Sequence, residues 1–170
     1  MLFYVDLLIL LCYYTYEGQG DVILHKLKIY LDNCCFNRPY DDQTQLRIEL
    51  ETKAKLFIQQ RITEDKIILV SSVILEYENN DNPYSVRKMV IKNFLKHAKE
   101  YVDKSDDILV IARDISKKGI KTKDAAHLAC AIYSKCDYLL TTDDKLLKYI
   151  DERISIINPI DFIKLEGVSE

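Results

Sequence analysis

Four short apolar runs, KIYLD at 28–32, KIILVSS at 66–72, DYLLTT at 137–142 and ISII at 154–157, are separated by longer stretches with helical spacing. KIILVSS shows no polar alternation, and an unbroken apolar strand is one buried on both faces, as in a parallel sheet. Leu46, Leu50, Ala54, Phe57, Ile58 and Ile62 recur at helical intervals, and so do Val86, Val90, Phe94, Leu95 and Ala98 within 84–101. DDILVIARDISKKG (106–119) reads as an amphipathic helix closed by Gly119, and Thr122 as the cap of a helix over 123–135. NCCFNRPYDDQ (33–43) reads as a loop, VILEYENN as a short helix or turn, and NPIDFIKL as a closing helical turn. Strands alternating with helices specify an α/β fold, a parallel sheet covered by helices on both faces in three layers.

A chain of 170 residues makes one domain with room for a proper core. The sequence divides into an N-terminal extension, 1–27, and a domain over 28–170. MLFYVDLLILLCYY is apolar but falls well short of the ~20 residues that span a bilayer. It carries Asp6, lacks a preceding basic residue and has no clear cleavage site, so it is a poor signal peptide. An upstream start chosen in gene calling and a short packing helix are both open for it. No membrane partner is expected. Five cysteines, without a CxxC pair, argue against zinc and against a disulfide framework, and fit a reducing cytoplasm. The net charge of −3 gives no global case for a nucleic-acid partner, so any basic footprint has to be local.

The acids carry the chemistry. In open parallel sheets, ligands sit in the crevice beyond the carboxyl ends of the strands. Asp32 ends the first run, Glu76 lies just beyond the second, and Asp143 directly follows YLLTT. Asp124 sits in the first turn of the helix leading into that run. Carboxylates gathered this closely repel one another unless a cation offsets them, and hard oxygen donors suit Mg²⁺ or Mn²⁺. Such an ion polarises a phosphoryl group and activates water, which suits phosphodiester hydrolysis. Each acid also has a plainer reading: a strand-end turn for Asp32, a helix-dipole acid for Asp124, a cap for Asp143. Glu78 competes with Glu76, since on a helix the two point about 200° apart. Asp144 competes with Asp143 in the same way.

These residues resemble the PIN-domain nucleases over 28 to about 165. KIYLDNCCF is similar to the opening of a prokaryotic subgroup, SSVILEYE to the second acidic segment, KDAAHLACA to the D-A-x-H-x-A stretch, and LLTTDDKLL to the T-x-D element. The resemblance implies a five-stranded parallel sheet of order 3-2-1-4-5 and divalent-metal-dependent cleavage of RNA. It also implies a toxin role, with a cognate antitoxin and a possible homodimer as partners. It assigns Asp32, Glu76, Asp124 and Asp143 as catalytic metal ligands. Many relatives carry a threonine or serine plus asparagine after the first acid, where this chain has Asn33, Cys34 and Cys35. Thr141 and Asn33 are candidates for positioning water.

Arg38 either meets a substrate phosphate or pairs with Asp41 or Asp42. His127, one turn on from Asp124, is a general base or, more simply, a buried hydrogen-bonded histidine. Lys117, Lys118, Lys121 and Lys123 form a local basic stretch beside Asp124, either a solvated helix end or an attractor of phosphate. Two rival readings are a noncatalytic RNA- or partner-binding domain of the same fold and a haloacid-dehalogenase-like phosphatase. The phosphatase wants a second aspartate at position 34, where Cys34 stands.

Overall fold

The computed structural model describes residues 26–166, so nearly all of the expected extension over 1–27 lies outside the described residues. Among the described residues no helix is long and apolar enough to cross a membrane. Five parallel strands form one sheet: β1 (Lys28–Leu31), β2 (Ile68–Ser72), β3 (Glu100–Val102), β4 (Tyr138–Leu140) and β5 (Ser155–Ile157). Their order is β3-β2-β1-β4-β5. Seven helices accompany them among the described residues: α1 (Asn33–Asn37), α2 (Leu46–Thr63), α3 (Val73–Asn80), α4 (Ser85–Leu95), α5 (Asp106–Lys117), α6 (Thr122–Tyr133) and α7 (Pro159–Glu166). Helices α5 and α6 pack together, as do α2 and α7, giving the three-layer α/β/α architecture the sequence suggested.

Strand burial explains the pattern. Ile29, Tyr30, Leu31, Leu69, Val70, Leu139 and Leu140 are wholly buried, because helices cover both faces of the central strands. Chain order reverses between β1 and β4, which pair in register Ile29↔Tyr138 to Leu31↔Leu140. The crevice at this switch point opens past Leu31 and Leu140, and Asp32 N is held there by Leu140 O at 3.0 Å.

Several local expectations are corrected. The loop expected over 33–43 begins with helix α1 and a 3₁₀ turn, Arg38–Tyr40. The helix expected over 84–101 stops at Leu95, and Glu100–Val102 pairs with β2 as the sheet edge. A three-residue edge strand is too short to show a period of its own. Lys121, not Thr122, caps α6, and Thr122 is its first helical residue. Gly119 closes the segment after α5 with φ of 92°, a conformation costly for any residue with a Cβ.

The apolar face of α2 is also not the one its periodicity suggested. Ala54, Ile58 and Ile62 are buried as expected, but Leu46, Leu50 and Phe57 face solvent, while Glu51 and Lys55 are buried. Likewise Val86 and Val90 of α4 are exposed, and Ile91 and Leu95 are buried. Glu51 is tolerated inside because its charge is shared. Its Oε1 accepts from Arg47 Nε at 2.9 Å and Asn158 Nδ2 at 2.7 Å. Its Oε2 lies 2.8 Å from Arg38 Nε, a charge contact without hydrogen-bond alignment. Asn158 Oδ1 in turn accepts from Ile160 N and so caps α7. One buried carboxylate thus ties α2, the 3₁₀ turn and the start of α7 together.

Candidate active site

The site grows from the loops leaving β1 and β4. Asp32 is buried, directly past β1, where the chain turns into α1. Its Oδ2 accepts from the Thr141 hydroxyl at 2.8 Å and from the Cys34 thiol at 3.1 Å. Thr141 is itself fully buried after β4, and its Oγ1 also accepts from Asp143 N at 3.1 Å. The threonine therefore fixes Asp32 and the backbone of Asp143 relative to each other, which gives the T-x-D spacing a physical basis. Cys34, where the resemblance led us to look for a hydroxyl or an amide, supplies the second donor to Asp32 and accepts from Thr142 N at 3.3 Å.

Asp143 is half-buried, and its Oδ1 accepts from Lys145 N at 2.7 Å and Leu146 N at 3.3 Å. That oxygen caps the following turn. The neighbouring Asp144 is exposed and engaged by Arg47, at 2.9 and 2.6 Å, which separates the two competing aspartates. Asp124, half-buried in the first turn of α6, completes the convergence. Burial raises its pKa above the ordinary 3.8, and the charges of Asp32 and Asp143 push it further the same way. Three acids from distant parts of the chain share one electrostatic environment.

Glu76 does not join them. It is exposed on α3 and accepts from the Tyr101 hydroxyl of β3 at 2.9 Å. Glu78, about 200° further round the helix, faces the acids instead. Its Oε2 lies 3.0 Å from His127 Nε2, which is 3.8 Å from Asp32 Oδ1. The hydrogen bond with His127 holds Glu78 below the usual glutamate range against the effect of burial. Lys123 adds a contact at 3.5 Å.

His127 is almost wholly buried. Burial disfavours its cation, but Glu78, Asp32 and Asp124 together outweigh that and raise its pKa above 6.5. As a cation it donates from both ring nitrogens, Nε2 to Glu78 and Nδ1 to Tyr30 Oη at 2.8 Å, while Tyr30 donates to Ser72 Oγ at 2.6 Å. Burial keeps the Tyr30 phenol neutral. Ser72 also caps α3 by accepting from Leu75 N. This chain of hydrogen bonds links β1, β2, α3 and α6 and sets where Glu78 stands. Tyr30 and Ser72 carried no signal in the sequence beyond strand propensity, and their part emerges only from the sheet.

The remaining candidates divide. Asn33 is half-buried at the start of α1, and its backbone oxygen and Oδ1 both accept from Asn37 Nδ2. Arg38 takes the ion-pair alternative: it contacts Asp41 at 3.0 Å and Glu51, and donates to Thr142 O at 3.3 Å. Among the lysines, Lys118 pairs with Asp114, and Lys121 partly offsets the acids around Asp124.

The sequence of residues 29–152 matches the family model of the PIN domain. The chain belongs to the PIN-domain family. PIN domains are generally nucleases and generally use divalent metal ions. Among solved structures, the chain is similar to VapBC2 from Rickettsia felis, bound to a DNA fragment from their promoter. That match has 14% identity and a TM-score of 0.53, covering 78% of this chain and 98% of the other. It is also similar to PAE2754 from Pyrobaculum aerophilum, with 13% identity and a TM-score of 0.51, covering 90% of this chain and 99% of the other. At these identities the likeness shows the PIN fold alone. No curated protein matches by sequence.

Proposed function

We propose that this PIN domain hydrolyses RNA phosphodiester bonds with Mg²⁺ or Mn²⁺ held by Asp32, Asp124 and Asp143, with Glu78 in the part first given to Glu76. The observation that carries this reading is the convergence of three acids on the crevice between β1 and β4, close enough for two of them to hinder ionisation of the third. Among the described residues no three ligand-type side chains already surround one point. The fit therefore rests on the chemistry of the donors. They are hard carboxylate oxygens whose mutual repulsion a dication relieves. Such an ion, when bound, supplies polarisation of the phosphoryl group and a more acidic coordinated water.

The chain's own part is to aim the carboxylates. Thr141 and Cys34 hold Asp32 to one orientation, and the 145–146 backbone amides fix one oxygen of Asp143. His127 holds Glu78 ionised at the rim. Water attack at phosphorus with the 3′ oxygen as leaving group gives 5′-phosphate and 3′-hydroxyl ends. RNA as substrate rests on the family resemblance.

A toxin role with an antitoxin-type protein partner is part of the same proposal. It is supported by the likeness to VapBC2 and by the exposed apolar row Leu46, Leu50 and Phe57 on α2, which offers a partner a surface to bury. Co-purification with the product of a small adjacent gene tests it.

The decisive assay is RNA cleavage with and without EDTA, on wild type and Asp32→Asn. Cleavage is expected to require the metal and to disappear in Asp32→Asn, with the circular dichroism spectrum unchanged. Undiminished cleavage by Asp32→Asn in a clean preparation overturns the assignment.

A further inference from the structure

A cleft of about 220 Å³ opens beside the acid cluster, and its chemistry differs from that of the cluster itself. It lies between α1, the end of α3 and the start of α4, and shares Asn33 and Glu78 with the site's edge. Tyr84, Arg87 and Asp81 also line it. The Arg87 guanidinium is flanked by two rings, 4.4 Å from the Tyr40 centroid and 4.3 Å from that of Tyr84. Arg87 Nε is buried without a hydrogen-bond partner. Arg87 covers one face of the Tyr84 ring, and with the residue 60% exposed the other face is open to another planar group. The floor carries side-chain amides already locked in a row: Asn82 Nδ2 donates to Asn37 Oδ1 at 3.4 Å, and Asn37 Nδ2 donates to Asn33.

We propose that this cleft is a nucleobase subsite for the RNA strand, holding an unpaired base against the Tyr84 ring next to the scissile phosphate. The proposal rests on the nuclease reading and adds which part of the substrate is gripped, and by what. A phosphate is the wrong occupant. Two of the lining side chains, Glu78 and Asp81, are carboxylates, and the one arginine is engaged with aromatic rings. A neutral base fits better. It stacks on the open face of the Tyr84 ring, as single-stranded nucleic acids do on aromatic side chains. Asp81 accepts a hydrogen bond from an exocyclic amine, so cytosine is favoured over uracil, which presents an acceptor oxygen there.

The test is equilibrium binding of fluorescein-labelled C5 and U5 oligoribonucleotides in EDTA, read by anisotropy, so that it does not depend on catalysis. Wild type is expected to bind C5 more tightly than U5. Tyr84→Ala is expected to weaken C5 binding roughly ten-fold and to flatten the preference, while Tyr84→Phe, which keeps the ring, retains both. Asp81→Asn is expected to reduce the preference for C5. Equal affinity of wild type and Tyr84→Ala, or no measurable binding by wild type, overturns the subsite. Failure of the nuclease reading looks different: cleavage survives Asp32→Asn, while binding still depends on Tyr84.

Discussion

Asp32 shows how much a single side chain depends on its supports. A carboxylate at a strand end is a common turn former, yet here Thr141 and Cys34 both donate to one of its oxygens and leave the other toward His127. The pair Glu76 and Glu78 makes the same point by contrast. Both were visible on one helix, and the sequence favoured Glu76. Tyr101 takes that residue toward the sheet edge, whereas His127 draws Glu78 to the acids. Cleavage rates separate them: Glu76→Gln is expected within about two-fold of wild type and Glu78→Gln lower by roughly ten- to a hundred-fold, as for residues that support a metal site. Equal losses in the two variants would count against the orientation of α3 described above.

At the scale of elements, α2 is the instructive case. Its apolar residues do repeat at helical intervals, but they surround the helix, so the repeat could not say which side faces in. Glu51 decided the matter, because a wholly buried carboxylate must meet its partners, and Arg38, Arg47 and Asn158 lie on one side only. Removing that carboxylate takes from Asn158 Nδ2 its acceptor and from both arginines their buried counter-charge, leaving them only Asp41 and Asp144 nearer the surface. Glu51→Ala is expected to cost about 3 kcal/mol in urea denaturation, and Asp144→Ala clearly less, since Asp144 is exposed and its partner Arg47 half exposed. The strands were legible because continuous apolar runs have few other uses. Strand β3 was missed because three residues at an edge carry no period, and α1 because Asn-Cys-Cys-Phe-Asn has little helix propensity to announce it.

At the scale of the whole molecule, the sheet order creates the crevice, and the crevice places like charges side by side. Like charges held this close cost stability unless a cation offsets them. Asp124 feels it directly: burial first, and the charges of Asp32 and Asp143 second, raise the pKa of its folded carboxyl, so the folded state holds its proton more tightly than the unfolded chain does. The charge penalty is thus full at neutral pH, eases as pH falls through the raised value, and vanishes below the ordinary 3.8. In EDTA, Asp124→Asn is expected to raise the melting temperature at pH 7, and the gain is expected to shrink as pH falls toward that value. Mn²⁺ is expected to raise the melting temperature of wild type and to do so less in Asp124→Asn, since a ligand that binds only the folded state stabilises it. A melting temperature of Asp124→Asn below wild type in EDTA would contradict the repulsion.

The sequence by itself determined the alternation of strands and helices, the parallel sheet, and the acids at strand ends, because burial on both faces and turn chemistry leave local traces. Only the tertiary structure decided which glutamate faces the acids, which side of α2 is inside, and that Arg38 is spent on Asp41 and Glu51. Asp41 apart, those outcomes depend on partners more than ten residues away in the chain, and side-chain direction is set by where such partners stand in space, which no local pattern records.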